Sequence, residues 1–139
     1  MRVTNVANAV IVNPHGQILL TQRHDPKNTS IHLKWQVPGG KIEKNEQPID
    51  ACVREAHEET GLHVKVLSKS PIVVEQEYEN VKFYLNVFLT APISDTIDTS
   101  LDEETADAQW YDFANIQDLQ TLDNTLEMIE KALKLWKKS

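Results

Sequence analysis

The stretch from Gly40 to Leu62 constrains the fold of this chain more than any other. It reads Gly-Lys-Ile-Glu-Lys-Asn-Glu-Gln-Pro-Ile-Asp-Ala-Cys-Val-Arg-Glu-Ala-His-Glu-Glu-Thr-Gly-Leu. Pro48 fits the first position of a helix, and Gly61 fits the left-handed residue that stops one. The spacing predicts a helix from Pro48 to Thr60, approached from the strong breaker Pro38-Gly39-Gly40. Ile49, Cys52, Val53 and Ala56 share one face by helical spacing, so that face is expected to pack. Glu55, Glu58 and Glu59 stand at i, i+3 and i+4 beside it, within an arc of about 100°. Like charges one turn apart oppose an isolated helix. Two readings stay open at this point: a solvated acidic face, or the oxygen-only donor set that a hard cation such as Mg²⁺ takes.

Around this helix the chain reads as alternating short strands. Val6 to Val12 is apolar and β-branched. Asn13-Pro14-His15-Gly16 follows as a type I turn and Gln17 to Arg23 returns as a strand, which makes a hairpin candidate. His24 to Leu33 is polar and reads as a surface loop, followed by a short extended piece at Trp35-Gln36-Val37. After the helix, strands are expected at Leu62 to Leu67, Ile72 to Glu77, Val81 to Thr90 and Ala108 to Phe113. A turn near Glu79-Asn80 and an acidic loop over Ala91 to Thr105 connect them. Leu122, Leu126, Ile129, Leu133 and Trp136 draw the apolar stripe of a last helix. Lys131, Lys134, Lys137 and Lys138 crowd its C-terminal half, where they complement the dipole. The pattern predicts one domain over residues 1–139, of the α/β (α+β) class, with a mixed β-sheet between α-helices.

Charge narrows the partners. Fourteen Lys and Arg against 21 Asp and Glu leave a formal net charge of −7. Such a chain lacks the basic footprint of a duplex nucleic acid binder and the polybasic patch of a membrane-surface protein. An anionic substrate then requires a metal or local cations to reverse the field. The lone cysteine, Cys52, excludes an intrachain disulfide and is expected in the core. With no long apolar run and no apolar leader after Met1, a cytoplasmic location is the expectation. The histidines His15, His24, His32, His57 and His63 show no metal-ligand spacing with a cysteine.

The longer pattern is specific. Gly40, five spacers, Glu46, seven spacers, then Arg54-Glu55-Ala56-x-Glu58-Glu59-x-Gly61-Leu62 resembles the Nudix hydrolase signature. Seven fixed positions at roughly 7% each would agree by chance on the order of once in 10⁸ windows. The flank Trp35-x-x-Pro38-Gly39-Gly40-x-x-Glu43 resembles the family as well, and the order of strands is compatible with its fold over nearly the whole chain. Two positions depart from the common pattern. Asn45 stands where many members have Gly, and Asn is the next best residue at positive φ. Ala56 is small for its aliphatic slot.

The resemblance implies hydrolysis of a phosphoanhydride bond in a nucleotide-type substrate, with Mg²⁺ or Mn²⁺ as cofactor. It implies Glu55, Glu58 and Glu59 as metal ligands, joined by a carbonyl of Gly39 or Gly40. Glu55, Glu58 and Glu104 are the candidates for the catalytic carboxylates, Glu104 from the acidic run Asp102-Glu103-Glu104. Glu46 and Arg54 are expected to tie the loop to the helix, with Gly40 and Gly61 structural. Arg23 and Lys41 are candidates for phosphate contacts, and Asp123-Asn124 for a nucleobase edge, with a helix cap as the alternative for Asn124. The resemblance is nearest to MutT-like nucleoside triphosphate pyrophosphohydrolases. Tyr78, 16 residues beyond the signature, resembles a position of dinucleoside polyphosphate hydrolases. ADP-ribose or nucleotide-sugar pyrophosphatases are a third option, though Pro71 falls too early for their pattern. A nucleotide sensor on an inactive scaffold is the reading from another class, and it sits poorly with an intact set of carboxylates. Monomer and homodimer both remain open.

Overall fold

Strand β1 (Arg2–Ile11) has two apolar faces. Ala7, Ala9 and Ile11 are buried on one side, Val10 on the other. A strand of that kind must lie inside a layered structure. The computed structural model, which describes residues 1–136, shows how. The remaining elements are β2 (Ile18–Arg23), β3 (Trp35–Gln36), β4 (Gly39–Lys41), α1 (Pro48–Thr60) and β5 (Val64–Val66). They continue as β6 (Ile72–Tyr78), β7 (Val81–Pro92), β8 (Thr105–Tyr111), α2 (Phe113–Ile116) and α3 (Thr125–Leu133). Lys137 and Lys138, expected to complement the last helix, lie outside the described residues.

One sheet runs β4-β1-β7-β5, with β6 also paired to β7. It is mixed, because β1 and β7 are parallel while the other pairs are antiparallel. A second sheet of three antiparallel strands runs β3-β2-β8. The layers lie between helices. α1 covers a core of Ala7, Ala9, Ile11, Leu19, Leu62 and Phe88. On the opposite face, α2 and α3 contribute Ile116, Met128, Ile129 and Ala132 to a core with Val10, Ile18, Leu20, Val87 and Leu89.

The hairpin expected between the first two strands does not form. Only an isolated bridge, Val12 to Ile18, joins them before they part into different sheets. The turn itself is as expected: the Gly16 N–H donates to the Asn13 carbonyl at 2.9 Å, and Gly16 has φ +80°. Asn13 Oδ1 also accepts the backbone N–H of His15 and Gln17, and this polar knot turns the chain out of the first sheet. The eighth strand starts earlier than expected and stops at Tyr111, since Phe113 opens α2. Glu79 and Asn80 both adopt positive φ, which gives the tight turn between β6 and β7. Gly61 has φ +78° and closes α1 with its N–H on the His57 carbonyl. Asn45 has φ +67°, the conformation that asparagine tolerates best after glycine.

Candidate active site

Small side chains let α1 approach the sheet closely. Ala51, Cys52 and Ala56 are fully buried against the layer that holds Ala7 and Ala9. Burial pushes the Cys52 thiol up to about 12. Ile49, expected on this face, is instead exposed, because it lies one residue inside the start of the helix and beyond the edge of the packed area. The close approach draws in Glu59, which follows Cys52 and Ala56 along the same helix face and is only 4% exposed. Glu59 Oε2 accepts the Gly39 N–H at 2.8 Å. Burial, and then the neighbouring Glu55 carboxylate, hold its pKa well above the ordinary carboxylate range. Glu55 is also raised, chiefly by burial, against the pull of Arg54. Gly40 leaves room for it: a Cβ there would stand 2.5 Å from Glu55 Oε1.

Arg54 is the hub of the acidic face. Its Nε and Nη2 donate to the two oxygens of Glu46 at 2.8 and 3.0 Å. Nη1 donates to Glu55 at 2.9 Å and Glu58 at 3.2 Å, and Nη2 also reaches the Lys41 carbonyl at 3.1 Å. The guanidinium, helped by the Glu43 N–H, holds the Glu46 carboxyl at about 2. Such a forked, charged contact fixes geometry as well as energy. It ties the loop after β4 to α1, the role expected for this pair, and aims Glu55 and Glu58.

The carboxylates open into a cleft of about 460 Å³ lined by Gly39, Gly40, Lys41, Glu55, Glu58 and Glu59, with Arg23, Asp102 and Glu104 on its other wall. Arg23 comes from the end of β2, and Asp102 and Glu104 from the loop after β7, which is fastened to the end of α1 by the Asp98 N–H on the Thr60 carbonyl at 2.8 Å. Glu104 pairs with Arg23 Nη2 at 2.9 Å. Asp102 instead turns its carboxylate inward along the loop, accepting the Glu104 N–H and the Thr105 hydroxyl, each at 2.9 Å. Among the described residues no three acidic, histidine or cysteine side chains are already converged as a ligand set, since Glu58 is held by Arg54. The donors still suit a divalent hard cation. Two apposed carboxyl groups, one buried and short of positive partners, form an oxygen-rich site where burial favours a bound proton or cation over bare carboxylates.

A second cleft of about 480 Å³ adjoins the first and shares Arg23 and Gly39 with it. Its apolar lining includes Val6, Val37, Phe83, Leu85 and Leu122. Its polar groups include Asn8, Gln36, Gln76 and Asp123. Tyr78 lines this cleft and is half exposed. Asn124 does not: its amide donates to Glu127 at 3.0 Å, and Asp123 provides the cleft wall. Asn124 does stand at the start of α3, with φ +69°, yet its side chain makes no cap hydrogen bond. Lys41 lines the acidic cleft and is exposed. Sequence reasoning missed Asn8, Gln36 and Gln76; of the Asp123-Asn124 pair it offered for a nucleobase edge, Asp123 is the one that lines the cleft. One signal was available, since Asn8 interrupts an otherwise apolar run.

Comparison with known proteins places the family and the fold. The family profile described as NUDIX domain matches residues 2–132. The 8-oxo-dGTP diphosphatase of Proteus vulgaris is 38% identical over 60 residues, which are 43% of this chain and 52% of that protein. The 8-oxo-dGDP phosphatase NUDT18 of Danio rerio is 28% identical over 134 residues, covering 95% of this chain and 39% of its own length. The chain thus spans about half or less of these curated relatives. Among solved structures, a NUDIX hydrolase from Nitrosomonas europaea superimposes with a TM-score of 0.82 at 23% identity, over 96% of this chain and 90% of that one.

Proposed function

The chain belongs to the Nudix family, and on that premise we propose that it hydrolyses a phosphoanhydride bond of a nucleoside triphosphate, releasing pyrophosphate. One observation carries the reading: an acidic, metal-suited cleft and an apolar cleft with polar edges meet at Arg23 and Gly39. A substrate spanning both must carry a polyanion at one end and a flat, largely apolar group at the other. A nucleotide has that form. The 8-oxo-dGTP diphosphatase relative supports the triphosphate version of it.

Glu55, Glu58 and Glu59 would hold Mg²⁺ or Mn²⁺, with a carbonyl of Gly39 or Gly40 as a further oxygen. Bound there, the cation would neutralise pyrophosphate charge and lower the pKa of water at the reacting phosphorus. The protein's own groups do the rest. Arg54 keeps Glu55 and Glu58 aimed at the cleft. Arg23 and Lys41 line the same cleft and supply positive charge to phosphate oxygens. Glu104 faces this space from the opposite wall and is the carboxylate we assign to take the proton of the attacking water. The apolar cleft excludes water from the nucleoside end and fixes the distance from base to phosphate.

A phosphate-release screen with Mg²⁺, coupled to inorganic pyrophosphatase for the triphosphates and to a phosphatase for the other substrates, tests the reading. Its rows are common and oxidised nucleoside triphosphates, diadenosine polyphosphates, ADP-ribose and nucleotide sugars. Pyrophosphate released from triphosphates by wild type, and lost in Glu59→Gln, is the expected result. Turnover of diadenosine polyphosphates alone would overturn the triphosphate assignment and direct attention to Tyr78. Tight metal-dependent binding without turnover would overturn the hydrolase assignment.

A further inference from the structure

The buried amide of Asn8 has an oxygen with no partner among the described residues. Asn8 is 7% exposed, and its Oδ1 is out of contact with solvent and without a hydrogen-bond partner. Leaving such a group unpaired opposes folding. The neighbours make the position tight. Asn8 pairs with Gly39 across β1 and β4, and a Cβ on Gly39 would overlap the Asn8 amide nitrogen. The space that holds the amide therefore exists because residue 39 is glycine. Of the other wall amides, Gln76 already donates to the Asp123 carbonyl at 3.3 Å. Asn8 lines the apolar cleft beside Val6, Val37 and Leu85.

We propose that Asn8 is a specificity-determining residue that reads a hydrogen-bonding edge of a flat heteroaromatic group, such as a purine, seated in the apolar cleft. This rests on the nucleotide reading of the two clefts. An amide offers a donor and an acceptor side by side and can exchange them by a half-turn, so it matches an edge that presents either. A bonding edge pairs the amide atom that faces the cleft, whereas a ring edge without polar atoms leaves that atom unpaired and is disfavoured. The apolar walls hold the faces of the ring but cannot distinguish one edge from another.

Asn8→Leu keeps the shape and removes the polar edge. The test is calorimetric binding of nucleoside monophosphates whose bases differ only at their edges: guanine, 8-oxoguanine, adenine and unsubstituted purine. The expected result is that wild type binds one substituted base at least about 10-fold more tightly than unsubstituted purine, and that Asn8→Leu reduces this ratio to within about twofold. Melting temperature is the second readout. The variant should melt at or above wild type, because a buried unpaired amide has gone. A ratio unchanged by Asn8→Leu overturns the proposal, as does an equal loss for every base together with a lower melting temperature. Absence of binding by any of the four also overturns it. The readout is independent of turnover, so a chain that binds selectively but hydrolyses nothing would refute the hydrolase reading and leave Asn8 in its role.

Discussion

Glu59→Gln should stabilise the metal-free protein while destroying its activity. Glu59 is 4% exposed, its one backbone partner is the Gly39 N–H, and its nearest charged neighbour is another carboxylate. An ion buried without an opposite charge costs several kcal/mol even after the surroundings relax. A hydrogen bond to a charged group offsets about 1.5–3 kcal/mol of that. Glutamine keeps the shape and an acceptor for Gly39, and it adds a donor toward Glu55. The expected gain at pH 8 in EDTA is about 1–3 kcal/mol, a rise of roughly 3–10 °C in Tm for a chain of this length. The pH dependence has a definite sign. Glu59 has a raised pKa in the folded protein, so the folded state binds its proton more tightly than the unfolded chain does. Wild-type stability from this group is full below the ordinary carboxylate pKa and is lost as pH rises toward the raised value. The gap between variant and wild type therefore opens on going alkaline. Mg²⁺ should raise the Tm of wild type and leave the variant nearly unmoved. Thermal unfolding from pH 4 to pH 8, with EDTA and with Mg²⁺, measures all of this. A variant less stable than wild type in EDTA at pH 8, or one stabilised by Mg²⁺ as strongly as wild type, would refute the reasoning.

Further outcomes follow from other contacts. Gly40→Ala drives a methyl group into the Glu55 carboxylate; kcat with Mg²⁺ should fall at least about 10-fold, and unchanged steady-state kinetics would show that Glu55 has no fixed place. Arg54→Lys cannot fork onto Glu46 while also reaching Glu55, Glu58 and the Lys41 carbonyl; kcat and Tm should both drop, and lost activity at an unchanged Tm would mean direct contact with substrate instead. Gly61→Ala meets both a positive φ and the Asp98 backbone, so chemical denaturation should show a loss of about 1–3 kcal/mol. Cys52, buried with a thiol raised to about 12, should resist iodoacetamide at pH 8 until denaturant unfolds the chain; rapid labelling of the native protein would contradict the packing of α1.

Much of the acidic site is legible in the sequence because it is local. The bounds of α1 follow from Pro48 and Gly61, and the adjacency of Glu55, Glu58 and Glu59 follows from 3.6 residues per turn. The Glu46–Arg54 contact is carried by the signature as a whole, with charge at both ends of a short loop. Other features are invisible at that range. The three carboxylates look equivalent by spacing, yet Glu59 is buried while Glu58 is half exposed. That difference arises because Ala51, Cys52 and Ala56 meet Ala7 and Ala9, residues more than 40 positions away. The parting of β1 from β2 likewise depends on partners found elsewhere, β7 for one and β8 for the other. The apolar cleft takes residues from Val6 to Asp123, so no single segment announces it. Helical period and residue chemistry act between neighbours and determined the chemistry of α1. Burial, and with it the choice of the carboxylate and the amide that go without an opposite partner, depends on which distant surfaces meet, and only the tertiary structure decided that.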